Sequence, residues 1–349
     1  MIVRDEEQTL ERCLSSVAHI VDEIVIVDTG SNDRTKEIAG KFTGNVLDFQ
    51  WIDDFAAARN YAFGQATQQY ILWLDADDVV SAEDGEKLLA LKNSMAWYTD
   101  AVSMNYQLAF DQSGRAVSSL RRNRLVKRSN GYRWVGAVHE YLEVFGRIQH
   151  SDIGVAHQRM HKQSSRNLSI YDNMVRDGKP FSARDLYYYA NELMDHSLWE
   201  RALGRYDEFL ERGEGWIEDR LQACGKASEC LCQLGRVQEA KEKALKAFTL
   251  AIPRAEICCR LGYYELEAGQ YEHAVYWYKL ALSLDKPLDP MAMLNESCWT
   301  WLPHLQLCVC YHKLGRNGLA ANHNEAAAGY VPEHEAVRRN QQYFQQLNA

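Results

Sequence analysis

Along the first 160 residues, short apolar runs alternate with segments of helical spacing. EIVIVDTG (23–30), NVLDF (45–49) and YILWLD (70–75) read as strands, each closing on polar or acidic residues. Before the first run, Leu10, Cys13, Leu14, Val17 and Ile20 form one apolar stripe; after it, Ser31 or Asn32 can cap a helix over 33–42. This rhythm predicts an α/β domain, a mainly parallel sheet covered by helices, with ligands received at the carboxyl ends of its strands. Residues 1–3 make a very short first strand, which leaves open a native start upstream of Met1.

From about residue 183 the pattern is helical only, and it repeats. LCQLGRVQEAKEKALKAFTL (231–250) aligns with ELEAGQYEHAVYWYKLALSL (265–284), so that Gly235 corresponds to Gly269 and Ala240 to Ala274. That offset is the period of a tetratricopeptide repeat, a helical hairpin with Gly at the turn and small residues where its helices touch. Weaker copies start at 197 and 313, enough units for a stacked all-α layer. Its aromatic residues are expected mostly between helices, with any left on the concave side available to a peptide. Trp299 and Trp301 interrupt the spacing, as a cap or a contact between two copies of the chain. The tail can therefore bind a peptide, pair two protomers as a homodimer, or do both.

Between the two patterns, RRNRLVKR (121–128) alternates so that Arg122, Arg124 and Arg128 share one strand face, holding phosphates or facing solvent. His139, His157 and His161 also fall in this stretch.

At 349 residues the chain is long enough for two domains, and its net charge of −9 opposes a nucleic-acid footprint. The start lacks a signal-peptide core and no run is long enough to span a membrane, which predicts a cytoplasmic protein. The nine cysteines lie mainly in helical segments without zinc-site spacing, so buried reduced thiols are expected.

Asp75, Asp77 and Asp78 close the YILWL run, and carboxylates this close repel unless a cation or several donors meet them. A divalent metal does so, and Asp28, which closes the IVIV run, points to the same crevice.

MIVRDEE, EIVIVDTGSNDRT, DFAAARNYA, YILWLDADD and WVGAVHEYL, in this order, resemble the family 2 glycosyltransferases of GT-A fold. With the helical tail, the chain is similar to the bacterial subgroup of glycocin peptide S-glycosyltransferases of the sublancin type. The resemblance implies a GT-A domain over 1–165, a linker helix over 166–184 and tetratricopeptide-like repeats over 185–349.

It further implies an inverting transfer from a UDP-sugar to a Cys, Ser or Thr side chain of a peptide or protein, with Mg²⁺ or Mn²⁺. Val3, Glu6 and Ala76 would belong to the donor site; Asp28 would read the base, Arg59 the base or diphosphate, and Asp75 the ribose. Asp77 would ligate the metal, and His157 is a second candidate ligand, with His161 its competitor. Glu140 would be the general base, with His139 its nearest rival. Alternative readings are a glycan or lipid-linked acceptor, and a peptide-binding scaffold whose transferase half is inactive.

Overall fold

A computed structural model describes residues 1–110, 116–158, 165–287 and 294–347. The chain divides into two units, Met1–Gly178 and Lys179–Ala349.

The first unit runs β1 (Ile2–Val3), α1 (Leu10–Val17), β2 (Ile26–Asp28), α2 (Thr35–Gly40), β3 (Val46–Asp48), α3 (Phe55–Gln65), β4 (Tyr70–Leu72), β5 (Asp78–Val79), α4 (Ala82–Ser94), β6 (Ala101–Phe110), β7 (Ala116–Lys127), β8 (Arg133–Val135), β9 (Tyr141–Glu143), β10 (Ile148–His157) and α5 (Arg166–Arg176). Strands β1–β2–β3 form a parallel sheet, as the alternation predicts. The second sheet, ordered β4–β7–β6–β10–β5, corrects the expectation of a mainly parallel arrangement: only β6 and β10 pair in parallel, because the long β6–β7 strands run as an antiparallel pair. Helix α1 buries Leu10, Cys13, Leu14 and Val17, the stripe read from the sequence. Asp54 caps α3 by accepting from Ala57 N–H, and Ser81 caps α4. The segment expected as a linker contains α5, which packs within this first unit.

The second unit is helical: α6 (Ala183–Asp195), α7 (Trp199–Arg212), α8 (Ile217–Gln233), α9 (Val237–Lys246), α10 (Ala255–Glu267), α11 (Tyr271–Ser283), α12 (Trp301–Lys313), α13 (Asn317–Ala328) and α14 (Glu335–Leu347). Helices pack as hairpins α6/α7, α8/α9, α10/α11 and α12/α13, with α14 against α13. Gly235, Gly269 and Gly315 turn three of them at φ 77°, 73° and 72°, the left-handed conformation that glycine adopts without a side-chain clash. Ser197 does the same at φ 59° in the first hairpin, and each turn repeats one bond: Leu198 N–H to Leu193, Arg236 to Leu231, Gln270 to Glu265 and Arg316 to Tyr311. Ala240, Ala274 and Ala320 are fully buried where the paired helices approach. All nine cysteines are free thiols, and only Cys232 is not fully buried. No helix of the described residues is long and apolar enough to cross a membrane.

Candidate active site

Asp28 is the last residue of β2 and is wholly buried. Its Oδ1 accepts from the N–H groups of Gly30 and Ser31, both at 2.9 Å, which organises the turn out of the strand. Its Oδ2 is buried with no hydrogen-bond partner among the described residues. One half of the carboxylate is therefore structural; the other is an acceptor waiting for a donor, since a buried unpaired oxygen is costly. Val3 lies one strand over, its carbonyl taken by the Thr29 N–H at 3.0 Å. Glu6 lies in the turn before α1, where its carboxylate accepts from the Thr9 hydroxyl.

Asp75, Ala76 and Asp77 form the turn between β4 and β5, closed by the Asp78 N–H on the Asp75 carbonyl at 3.0 Å. Arg59, on α3, bridges two carboxylates: its Nη2 donates to Asp75 at 2.6 Å and its Nε to Glu140 at 2.6 Å. The guanidinium also lies over the rings of Trp134 and Trp73, 4.7 and 5.5 Å from their centroids. Burial opposes its charge, but Asp75 and Glu140 outweigh that and raise its pKa further. Burial likewise opposes ionisation of Asp75, and Arg59 with Arg124 overcomes it, holding the carboxyl well below the usual range.

Glu140 follows His139, whose φ of 51° is left-handed and unusual for a side chain of that size. The loop carrying them is tied to α3 at two points. Phe55 N–H donates to Ala137 at 2.9 Å, while the Asn60 side chain accepts from Trp134 N–H and donates to its carbonyl, both at 2.9 Å. His139 has neighbours of its own but is not part of the Arg59 bridge.

Asp77, Asp78 and His157 form a second cluster, with ligand atoms within 4.8 Å of one another. His157 Nδ1 lies 3.4 Å from Asp77 Oδ1 and 3.5 Å from Asp78 Oδ1, yet neither approach has hydrogen-bond geometry, and both His157 Nδ1 and Asp78 Oδ1 are buried and unsatisfied. Asp77 first and Asp78 second raise the imidazole pKa to about 9. An imidazole nitrogen and two carboxylate oxygens this close together suit a divalent cation. The competing candidate His161 lies outside the described residues.

Two partners escaped the sequence reading. Asp78, flagged only as part of the acidic crowd, gives its Oδ2 to Asp75 N–H at 2.9 Å and to Arg124 at 2.9 Å. Arg124 belongs to neither alternative weighed for the basic run: it is fully buried, its guanidinium between Trp73 and Tyr106 at 4.0 and 4.4 Å. Arg122 lies over the Tyr106 ring at 5.1 Å, whereas Arg128 bonds the Gln68 carbonyl. Asp75 and Glu140 thus share Arg59, Asp78 pairs with Arg124, and Asp77 lies beside His157.

Residues 1–154, which contain every one of these groups except His157, match the model of Glycosyl transferase family 2. The first unit is a family 2 glycosyltransferase domain. A TPR repeat-containing protein of Synechococcus elongatus is 29% identical over 339 residues, covering 95% of this chain and 75% of that protein. The glycosyltransferase SunS of Bacillus phage SPbeta is 26% identical over 208 residues, 55% of this chain and 48% of SunS, so the chain matches about half of that relative. Among solved structures, YrrB, a TPR protein with an unusual peptide-binding site, is similar to 51% of this chain and 82% of its own at 20% identity and a TM-score of 0.38. The repeat architecture accordingly rests on the hairpins and their turns rather than on that likeness. In the transferase domain, Asp28 and the Asp75–Asp78 turn both sit at the carboxyl ends of strands, where α/β sheets receive ligands.

Proposed function

We propose that the chain is a metal-dependent inverting glycosyltransferase that moves a sugar from a UDP-sugar to a Cys, Ser or Thr side chain of a peptide or protein. The observation that carries this reading is a set of buried polar atoms, Asp28 Oδ2, Asp78 Oδ1 and His157 Nδ1, that have no hydrogen-bond partner among the described residues of one family 2 domain.

Asp28 Oδ2 would accept an N–H of the base, with Val3, Glu6 and Ala76 bordering the donor. Asp75 would accept from the ribose. Asp77 and His157, joined by Asp78, would hold Mg²⁺ or Mn²⁺, which would neutralise the charge of the departing diphosphate. Arg59 fixes Glu140, which would take the acceptor's proton as the acceptor sulfur or oxygen bonds the anomeric carbon. The bond from that carbon to the diphosphate oxygen breaks on the opposite face, and the electron pair leaves with UDP. The repeat unit supports a peptide acceptor, because stacked hairpins present extended binding surfaces. A cytoplasmic site of action agrees with the buried free thiols.

The test is calorimetric titration of UDP with Mn²⁺ or Mg²⁺, then with chelator, for wild type and Asp77→Ala. Metal-dependent binding that is lost in the variant is expected. Absent or metal-independent binding removes the mechanism and leaves an inactive peptide-binding scaffold.

A further inference from the structure

A cavity of about 580 Å³ opens in the second unit between α8, α10 and α12. Its walls are laid out by the repeat period. Gln222 and Glu256 occupy one position in successive hairpins, Lys226 and Arg260 occupy the position one turn further along the same helices, and Tyr187 and Asn191 of α6 meet Gln222 and Lys226. Gly225 allows the close approach of α8 and α10, since a Cβ there would meet Ile257 at 3.3 Å.

The cations lining the cavity differ in how they are neutralised. Arg254 pairs with Glu218, and Arg260 pairs with Glu229 at 3.0 Å. Among the described residues no carboxylate lies within ion-pair distance of Lys226, although Asp195, Asp219 and Glu229 are near enough to favour its charge; its ammonium donates to the Asn191 side-chain oxygen at 2.8 Å and the Tyr187 hydroxyl at 3.5 Å. Asn191 and Tyr187 are held in turn: Tyr206 donates to Asn191 at 2.7 Å, and the Tyr187 hydroxyl to Gln222 Oε1 at 3.0 Å. The Gln222 amide nitrogen is left without a bond among the described residues, and Gln306 faces the same cavity from α12. Glu256 is answered by the Asn295 N–H at 3.0 Å. The cavity thus offers one ammonium without a direct ion pair and amide groups suited to a peptide main chain, whose N–H and C=O groups all need partners when buried.

We propose that this cavity binds an extended segment of the acceptor polypeptide, with the carboxylate of an internal Asp or Glu of that segment docking on Lys226. The proposal rests on the peptide-acceptor reading above and adds to it a required acidic residue away from the modified side chain.

The test is to pan a random-peptide phage library, displayed so that the peptide carboxyl end is not free, against the full chain. Wild type should enrich sequences with Asp or Glu at one fixed position, Lys226→Arg should keep that preference, and Lys226→Met should lose it. A synthetic amidated peptide from the enriched set should bind about tenfold more weakly when that residue becomes Gln or Asn, the order of one charge-assisted hydrogen bond. Far-ultraviolet circular dichroism of Lys226→Met should match wild type. No enrichment, enrichment without an acidic position, or an acidic preference that survives Lys226→Met each overturns the proposal. UDP binding measured on the same preparations separates this failure from failure of the transferase reading, since Lys226→Met should leave it unchanged.

Discussion

Arg59 Nε and Glu140 Oε1 are 2.6 Å apart, joining residues 81 positions distant in sequence. The same guanidinium holds Asp75, so one side chain pairs with both carboxylates. Arg59→Ala would leave two partly buried carboxylates without their shared partner. Removing one partner of a buried ion pair costs about 3–5 kcal/mol, and Arg59 here serves two. Urea unfolding should show a loss of this order for the first unit. A loss below about 0.5 kcal/mol would place the bridge among surface pairs of little worth.

His157 supplies a pH dependence whose sign is fixed. Its folded-state pKa is raised from 6.5 to about 9, so the protonated form is favoured in the folded chain. With chelator present, the stabilisation is complete below about pH 6.5 and lost as pH rises through about 9. His157→Gln should flatten thermal stability between those limits. A bound cation displaces the proton, so metal affinity of the wild type should rise over the same interval. A variant whose thermal curve keeps the wild-type slope would remove His157 from the cluster's electrostatics.

Glu140→Gln separates acceptor chemistries. A cysteine thiol is partly ionised near neutral pH, whereas a serine hydroxyl is not, so the base matters less for sulfur. Transfer to a Cys peptide should persist in the variant while transfer to the Ser analogue falls by about 10²-fold or more. Mass spectrometry of both products decides the point, and full activity on each would sink Glu140 as the base.

Gly262 tests the repeat packing. A Cβ added there would lie 2.9 Å from ring atoms of Tyr278, which is itself buried. Gly262→Ala should destabilise the helical unit by about 1–3 kcal/mol through overpacking, read by denaturant unfolding at 222 nm. Gly318→Ala on α13, where a Cβ meets nothing within 4 Å, is the control and should be neutral or stabilising.

The sequence shows periodicity well and depth poorly. The spacing of Gly235 and Gly269 locates the turns because only their backbone conformation is demanding; the first hairpin gives a weak signal because Ser197 takes the same conformation without glycine's identity. The acidic closure of β4 marks the crevice because carboxylates there are conspicuous in an apolar run. Alternation in RRNRLVKR assigns residues to faces, but nothing local tells that Arg124 is sealed between two rings while Arg128 stays exposed. That distinction arises from Trp73 on the connection after β4 and Tyr106 on β6, which the chain brings together only on folding. The mixed order of the second sheet is equally non-local, since β5 enters it beside β10, with Asp78 opposite His157 and Val79 opposite Ala156.

Asn60 and Arg59 are neighbours on α3, one gripping the Trp134 backbone and the other bridging Asp75 to Glu140. Successive helical residues are about 100° apart, so a single-residue insertion ahead of them would swing both off target together. Changes in the loop that carries Trp134 and Glu140 can accumulate in its side chains, but the length of α3 up to Asn60 is locked. In lineages of such transferases, gaps should be absent there even where the sequence itself drifts.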